Sequence, residues 1–390
     1  MTDTARIGLT LSPLDTLFFR DGRPFEATSR ATTGLPQPRT FAGAIRTELL
    51  ARYSQVNFAE LIHLLTHNSS KSRSEHFRER GVPACHEHLE FRGPWPAVKQ
   101  NSGELIPLLP VPATLARKRG DRGALGTWYQ AKPVTVNAQS LLWRKQDEPD
   151  ADHPEGFLTL QGIKQFLRGE LRDPDESLDN EWFSVADVYE FDHRTGIGID
   201  ADSLTVSGSM LFGTRMLALN PKINRESVSE DQYEGAQIVL YGEIVLPNAD
   251  DVSQLPTLEW TMPFGGEGRC VQLAKSLPVD WGCSTEKSEK NQRLWLLASP
   301  GIFSADSADR GQACPACFSD KVLKAAASSG AVAVSGWDSV RRGPKPTRFA
   351  VPAGAVYFTE GPVDIRHQSL CSDPELVAEG WGHVLEGVWS

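Results

Sequence analysis

One pattern occurs twice in this chain: an apolar run, then Ser-Pro, then a second short apolar stretch. The first copy lies at residues 9–18 and the second at residues 293–303. Apolar runs of this length, bounded by proline and glycine, are typical of β-strands in a protein core. The repetition predicts two related units, a larger first domain over residues 1–287 and a smaller second domain over residues 288–390.

The elements around the first copy predict an α+β fold. Residues 7–19 form an apolar strand that ends in a bend, and a loop over residues 20–39 follows. Phe41, Ile45 and Leu49 are then spaced four apart, which indicates an amphipathic helix with Thr40 as its N-cap. Strand-like patterns return at 210–219 and 238–246, whereas the proline-rich region 57–126 predicts an irregular insertion.

Composition limits where such a protein resides. The chain has 390 residues, of which 40% are hydrophobic, so each domain can bury a core of its own. No apolar run approaches the roughly 18 residues that span a membrane, and the first ten residues lack the pattern of a signal peptide. We therefore expect a cytoplasmic protein with no membrane partner.

The six cysteines are too few and too scattered to form a disulfide framework in a chain of this length. Only Cys314 and Cys317 have a metal-like spacing. A zinc site would need two more ligands, for which Cys85, His86 and His88 are candidates. The alternative is a loop that holds two ordinary thiols, and the sequence predicts no cofactor.

The charge balance restricts any nucleic-acid contact to a local surface. The formal net charge is −10 and the sequence pI is about 5.5, so the surface as a whole does not favour a polyanion. Residues 20–46 nevertheless contain five arginines. This distribution predicts one basic face near the N-terminus of an otherwise acidic protein.

The first candidate contact is the turn over residues 19–25, which places Arg20 and Arg23 beside Phe25. Arginine binds a phosphate through paired hydrogen bonds, and an aromatic ring offers a stacking surface for an unpaired base. In the alternative interpretation, Asp21 caps the turn, Phe25 packs in the core and the arginines are solvated.

The second candidate is the loop and helix start over residues 34–46. Free backbone N–H groups at a helix N-terminus favour an anion. Gly34 and Gly43 leave room for close approach, and Arg39 and Arg46 add positive charge. The same residues also fit a proline-stiffened loop followed by a helix that crosses another element at a glycine.

The third candidate lies at residues 190–200, where glycines 196 and 198 alternate with isoleucines in an apparent strand after His193 and Arg194. Glycine inside a strand often marks a place where another backbone comes close. His193 has no second histidine or nucleophile at a catalytic spacing, so a hydrogen bond to RNA or to a carbonyl group fits better than general-base catalysis.

The fourth candidate is the glycine-rich segment at residues 264–269, which contains Gly265, Gly266 and Arg269. Its N–H groups can line a phosphate, and a tight hairpin explains the sequence equally well. The segment lacks the Lys-Ser/Thr pair of a P-loop and the spacing of a dinucleotide fold, so nucleotide hydrolysis and NAD chemistry are unsupported.

Together and in this order, the motifs resemble the type III-B (Cmr) subunit of the CRISPR RAMP superfamily that binds the 5′ handle of the guide RNA. The motifs span nearly the whole chain, and their breadth makes the match specific. They are Leu-Ser-Pro-Leu-Asp-Thr-Leu-Phe-Phe-Arg-Asp-Gly-Arg-Pro-Phe at 11–25, Leu-Pro-Gln-Pro at 35–38, Gly43 with Arg46, Arg-Thr-Gly-Ile-Gly-Ile-Asp at 194–200, Gly-Gly-Glu-Gly-Arg at 265–269, Gly-Trp-Asp at 336–338 and Val-Pro-Ala-Gly-Ala-Val-Tyr-Phe at 351–358.

This resemblance implies two ferredoxin-like, RRM-related domains with insertions and no catalytic activity. It further implies that the partners are the crRNA 5′ handle, a large polymerase-like subunit and neighbouring backbone RAMP subunits in antiviral defence. The RNA-binding residues implied by the match are Arg20, Arg23, Gly34, Arg39, Gly43, Arg46, His193, Arg194, Gly265, Gly266 and Arg269.

Two other functions remain open at this stage. A RAMP endoribonuclease would process precursor CRISPR RNA without a metal, with His193 as the general base. A pure interaction module would bind neighbouring subunits through its acidic surface and contact no RNA. The arginine-rich first loop argues against the module, and the lack of a paired histidine argues against the nuclease.

Overall fold

The structure is a computed structural model of the 390-residue chain. It describes residues 4–19, 34–53, 73–120, 125–136, 139–143, 151–172, 174–199, 203, 205–220, 233–282, 291–303, 313–319, 321–338 and 343–389.

Strands outnumber helices in the described residues. The helices are α1 (Pro38–Tyr53), α2 (Arg73–Glu79), α3 (Leu160–Leu167), α4 (Val185–Val188) and α5 (Pro374–Glu379), with 3-10 helices at Ala84–His88, Ser177–Glu181 and Ala249–Gln254. The strands are β1 (Ala5–Pro13), β2 (Glu90–Lys99), β3 (Leu105–Pro110), β4 (Leu115–Lys118), β5 (Thr127–Gln130), β6 (Lys132–Val136), β7 (Gln139–Trp143), β8 (Phe157–Thr159), β9 (Trp182–Phe183), β10 (Tyr189–Ile199), β11 (Val206–Leu219), β12 (Gln237–Leu246), β13 (Glu259–Pro263), β14 (Cys270–Ser276), β15 (Gln292–Leu297), β16 (Leu323–Ala327), β17 (Val332–Val334), β18 (Trp337–Asp338), β19 (Gly343–Pro344), β20 (Arg348–Ala350), β21 (Val356–Glu360) and β22 (Val384–Val388).

Two sheets organise the fold. The larger has the strand order β13-β14-β1-β12-β2-β3-β8-β9, and the smaller has the order β16-β21-β15-β22. The strands in both sheets pair antiparallel, and helices pack beside them, which confirms the predicted α+β class. The assignment to ferredoxin-like domains stays a prediction.

The two repeated sequence segments occupy equivalent places in the two sheets. β1 lies between β14 and β12, with β2 beyond β12, and β15 lies between β22 and β21, with β16 beyond β21. Each set contains four strands, and in chain order the first of the four lies inside the set and pairs with the third and the fourth. The equivalence gives the repeated sequence pattern a structural basis.

Helix α1 follows the predicted apolar spacing but begins earlier than expected. Phe41, Ile45 and Leu49 are fully buried against the larger sheet, as their four-residue spacing predicted. The predicted N-cap at Thr40 is wrong, because Pro38 already begins the helix. Proline suits a first helical turn, since its fixed φ matches the helix and its missing N–H would be unpaired there.

The predicted irregular insertion over residues 57–126 is wrong for its described part. It contains β2, which pairs with β12 along most of its length and is a central strand of the larger sheet. Prolines 94 and 96 disguised this strand in the sequence. The register with β12 shifts between Tyr241 and Glu243, opposite Pro94, so a residue without an N–H falls where the ladder is already interrupted.

The sheets of the two halves share one hydrophobic cluster. Trp95 and Tyr241 from the larger sheet pack in the same cluster as Leu294 and Phe358 from the smaller sheet. The Trp95 indole also donates a 2.7 Å hydrogen bond to the Ala298 carbonyl. The predicted boundary near residue 287 stays a prediction, and Trp281 before it and Leu294 after it pack in this common cluster.

Candidate nucleic-acid interface

The exit of β1 is joined to the long β10–β11 hairpin. After β1 ends at Pro13, the chain bends, and Leu17 forms an isolated antiparallel bridge with Leu217 of β11. Their backbone groups exchange hydrogen bonds of 2.8 and 2.7 Å, and both side chains are fully buried. The segment that leads from β1 to the first candidate contact therefore lies beside the β10–β11 hairpin, which contains His193 and Arg194.

The glycine-rich segment closes the same corner as a tight turn between β13 and β14, which confirms its hairpin interpretation. The Gly266 amide donates to the Phe18 carbonyl at 2.8 Å, and the ring of Phe264 meets that of Phe19 edge-on at 5.2 Å between centroids. Gly265 has φ +89°, and a Cβ there would lie 2.5 Å from the Phe18 carbonyl oxygen. Only glycine fits this contact without strain.

Two arginine side chains from these segments meet on Asp15. Arg269 Nη1 lies 2.7 Å from Asp15 Oδ2, and Arg194 Nη2 lies 3.8 Å from the same oxygen. Arg194 Nε also donates to Asp192 at 2.7 Å. A backbone hydrogen bond from Thr16 and the two guanidinium groups hold the pKa of Asp15 below its usual value. We call Asp15, Arg194 and Arg269 the β1-exit cluster.

The β1-exit cluster is accessible to solvent. The side chains of Asp15, Arg194 and Arg269 are 58%, 40% and 21% exposed. The glycine turn from residue 265 to 268 is also exposed. A ligand can therefore reach the cluster from solvent. The two arginines can bind an anionic group, and the exposed turn leaves space for the chain that carries this group.

His193 is exposed on β10, and its cross-strand neighbour is Arg215. The Arg215 guanidinium lies 4.1 Å above the ring of Phe191. His193 therefore shares the hairpin with cationic side chains, an arrangement suited to contact with RNA.

Arg39 and Arg46 on α1 both have partners inside the protein. Arg39 Nε forms a 2.8 Å ion pair with Glu379 at the end of α5. Arg46 Nη2 donates to the Leu89 carbonyl at 3.1 Å, and its guanidinium lies 4.9 Å from the Phe91 ring centroid. These contacts tie α1 to β2 and to the second half of the chain. The predicted contact of Arg39 and Arg46 with RNA stays a prediction.

Gly34 and Gly43 differ from the turn glycines because packing does not require them. A Cβ placed at either position meets nothing within 4 Å, and Gly43 is exposed on α1. The predicted role in close approach of a partner therefore fits the open space above them. Arg20 and Arg23 lie outside the described residues.

The sequence analysis missed Asp15, which brings Arg194 and Arg269 together. The signal was present in the first motif, where an acid directly follows the Ser-Pro-Leu bend, but the partners lie far along the chain. Arg269 is separated from Asp15 by 254 positions.

The zinc hypothesis finds no support in the part of the chain that the structure describes. No group of three or more His, Cys, Asp or Glu side chains there can hold a metal. Cys85 belongs to the core cluster of the larger sheet, whereas Cys314 packs against the cluster of the smaller sheet. Among the described helices, none is long and apolar enough to cross a membrane.

Comparison with known proteins identifies a family. The family model described as CRISPR-associated protein (Cas_Cmr3) matches residues 9–389. A search of curated protein sequences gave no significant match. A chain of the type III-B Cmr-beta complex bound to cognate target RNA is similar at 15% identity with a TM-score of 0.47, covering 91% of this chain and 86% of that chain. A chain of the Csm3–Csm4 subcomplex of the type III-A CRISPR-Cas interference complex is similar at 10% identity with a TM-score of 0.40, covering 98% of this chain and 99% of that chain. Because the family model spans nearly the whole sequence, the chain belongs to the Cas_Cmr3 family of CRISPR-associated proteins, as its motifs indicated.

Proposed function

We propose that this chain is a non-catalytic RNA-binding subunit of a type III-B CRISPR effector complex in the cytoplasm and anchors the 5′ handle of the crRNA. Its protein partners in this proposal are the large polymerase-like subunit and neighbouring backbone RAMP subunits. The observation that carries the proposal is the β1-exit cluster, where three separate motifs of the sequence meet at one exposed corner.

The cluster supplies the chemistry that a single-stranded RNA backbone needs. Two guanidinium groups offer paired donors to phosphate oxygens, and the exposed glycine turn leaves space for the sugar-phosphate chain beside them. His193 precedes Arg194 on β10, so its exposed planar side chain lies on the opposite face of the hairpin, where an unpaired base can stack beyond the cluster. Contacts of this type position an RNA strand and require no cleavage chemistry.

The acidic net charge is compatible with this proposal because the binding surface is local. Phosphate contacts release counterions, so affinity should fall steeply as salt increases. Elsewhere, the acidic surface keeps non-specific RNA away and remains available to protein partners.

The first prediction tests the cluster by removing its cations. We expect Arg194→Ala/Arg269→Ala to weaken binding of a labelled guide RNA that carries its 5′ handle by about tenfold or more, since each lost phosphate contact costs about 1 kcal/mol or more. The affinity for a guide without the handle should change much less. Binding is measured by filter retention, with the chain assembled with its large partner subunit.

The matched control is Arg366→Ala. Arg366 is also a carboxylate-paired arginine, bound to Asp364, but it is 82% exposed and lies in the second half of the chain. Equal binding of handle-bearing and handle-free guides by the wild type would contradict the proposal and favour a pure interaction module. Cleavage of repeat RNA in EDTA that is lost in His193→Ala would instead show the endoribonuclease.

A further inference from the structure

Two arginines from different elements converge on one carboxylate oxygen at the β1 exit. Arg269 ends the glycine turn, and Arg194 lies on β10, yet their guanidinium groups lie 2.7 and 3.8 Å from Asp15 Oδ2. Arginine binds carboxylate oxygens and phosphate oxygens through the same charge-assisted hydrogen bonds. Asp15 Oδ2 therefore lies where a non-bridging oxygen of a bound phosphate would lie. The two arginines thus form an anion-binding site that is occupied by the protein's own Asp15 carboxylate.

The contacts of Asp15 are of a kind that a stronger ligand can replace. Its side chain is 58% exposed and that of Arg194 is 40% exposed, and ion pairs in such positions contribute little to stability. A displaced Asp15 carboxylate can turn into water without being buried. A phosphate diester carries the same single charge and offers two oxygens, so it can accept bidentate donation from an arginine where Asp15 uses one oxygen for both.

The remaining acids at this corner have different roles. Asp192 accepts from Arg194 Nε at 2.7 Å, which leaves the Nη2 side of that guanidinium directed to Asp15. Glu267 lies in the exposed glycine turn with φ +56°, and no ion pair is shown for it among the described residues. Asp15 is thus the acid that lies between the two cations.

We propose that the Asp15 carboxylate holds the place of an RNA phosphate in the free protein and is displaced when the guide binds between Arg194 and Arg269. This inference rests on the proposed RNA-binding function and adds to it a residue that competes with RNA for the two arginines. An RNA that enters this corner must displace the carboxylate, so a strand held by this corner alone binds weakly. A guide that is anchored by further contacts can overcome the competition.

The test is the isosteric variant Asp15→Asn, which removes the charge and keeps an acceptor for the Thr16 amide. We expect it to bind guide RNA about three- to tenfold more tightly, because two exposed ion pairs no longer compete. The gain should be larger for a guide that carries the 5′ handle, because the handle is the part of the guide proposed to contact Arg194 and Arg269. The dependence of log K on log salt should steepen by about one unit, because the wild-type site must recover a cation when Asp15 is released.

Asp280→Asn is the matched control, since it removes the same charge from an exposed carboxylate that pairs with one cation, Lys164. Asp280 lies beyond the far end of β14, whereas Arg269 precedes its start. Seven strand residues separate the two ends by about 20 Å, more than twice the screening length at physiological salt. The control should therefore bind RNA like the wild type.

Tighter binding by Asp15→Asn with unchanged binding by Asp280→Asn supports the inference. Weaker binding would show that Asp15 positions the arginines, and unchanged binding would show that it does not compete; either result overturns the inference. Thermal unfolding of each variant checks that it is folded. If wild-type binding shows no dependence on the handle, the proposed function fails, whereas the comparison of Asp15→Asn with wild type still decides the role of Asp15.

Discussion

At the scale of single residues, one buried carboxylate, that of Asp179, has hydrogen-bond donors on several sides. Asp179 is almost fully buried and accepts two hydrogen bonds from Arg117, at 2.6 and 3.1 Å. It also accepts from the Gly126 amide and from the Trp128 indole. These contacts hold the β4–β5 hairpin against the 3-10 helix at Ser177–Glu181. The carboxylate is therefore the centre of a structural network that shares no residue with the β1-exit cluster.

Replacing this carboxylate gives a stability prediction with a pH dependence. Burial opposes ionisation of Asp179, but the hydrogen bonds from Arg117, Gly126 and Trp128 outweigh it, so its pKa in the folded protein is lowered. We expect Asp179→Asn to lower the free energy of unfolding by about 3 kcal/mol at pH 7, because Arg117 loses its charged partner. Urea denaturation monitored by tryptophan fluorescence measures the difference.

The sign of the pH effect follows from the lowered pKa. The stabilisation is complete above the pKa of an unfolded aspartate, about 4, and is lost as the pH falls through the lower folded value. The difference in the free energy of unfolding between the wild type and Asp179→Asn should therefore become smaller as the pH falls. Asp364→Asn, which removes an exposed partner of Arg366, should leave stability unchanged. A gap that stays constant down to acid pH would contradict this account.

Some residues of the candidate site could be predicted from the sequence, and their mutual contacts could not. The glycine turn was visible as a cluster of glycines, and Gly265 indeed has a positive φ at a contact that excludes a side chain. The convergence of Arg194 and Arg269 on Asp15 depends on two long-range strand pairings. Local spacing carries no information about such pairings, so Asp15 was missed.

At the scale of elements, α1 shows how much a strong local pattern can predict. Its apolar spacing identified the buried face correctly, because Phe41, Ile45 and Leu49 all pack in the core. β2 shows the opposite case, since its prolines conceal a central strand whose pairing with β12 is set by tertiary structure. Proline is tolerated in a central strand where the register of the ladder shifts, as at Pro94. The sequence does not reveal where such a shift falls, so this strand could not be predicted.

The open position on α1 provides an element-scale prediction. Gly43 is exposed within the helix, and a Cβ there meets nothing, so Gly43→Ala should raise the free energy of unfolding by about 0.5–1 kcal/mol through helix propensity. If RNA approaches closely here, as the motif predicts, the same variant should bind guide RNA more weakly. Opposite changes in stability and affinity would separate a binding role from a folding role.

Ala51→Gly is the matched control for Gly43→Ala. It lies at an exposed position near the other end of the same helix and changes helix propensity in the reverse direction. It should destabilise α1 slightly and leave RNA affinity unchanged. Wild-type affinity in Gly43→Ala would contradict the predicted contact at this position.

At the scale of the whole molecule, the repeated sequence pattern indicates two units, and the structure joins them through a common interior. His383 of the second half lies near Trp95 and Trp281 of the first, with ring centroids 5.8 and 6.1 Å apart. Burial, with the nearby Arg92, lowers the pKa of His383 to about 3, so the seam carries a neutral imidazole at neutral pH. A repeat in sequence predicts similar units but contains no information about the core that they share.

The β1-exit cluster lies on the larger sheet, at the end of its central strand. The strand order places β14 and β12 on either side of β1, so the glycine turn before β14 arrives at the β1 exit by pairing alone. The hairpin reaches the same corner through the bridge between Leu17 and Leu217. The topology of the whole sheet thus assembles a site whose parts are separated by up to 254 of the 390 positions in the chain.

The central claim is that this corner contacts the 5′ handle, and cross-linking tests it most directly. A guide RNA with 4-thiouridine in the handle is assembled with the complex, irradiated and digested, and the linked peptides are identified by mass spectrometry. The account predicts cross-links to residues 189–199 or 264–269, with a lower yield in Arg194→Ala/Arg269→Ala. Handle cross-links confined to other subunits, or to other parts of this chain and unaffected by the double variant, would contradict it.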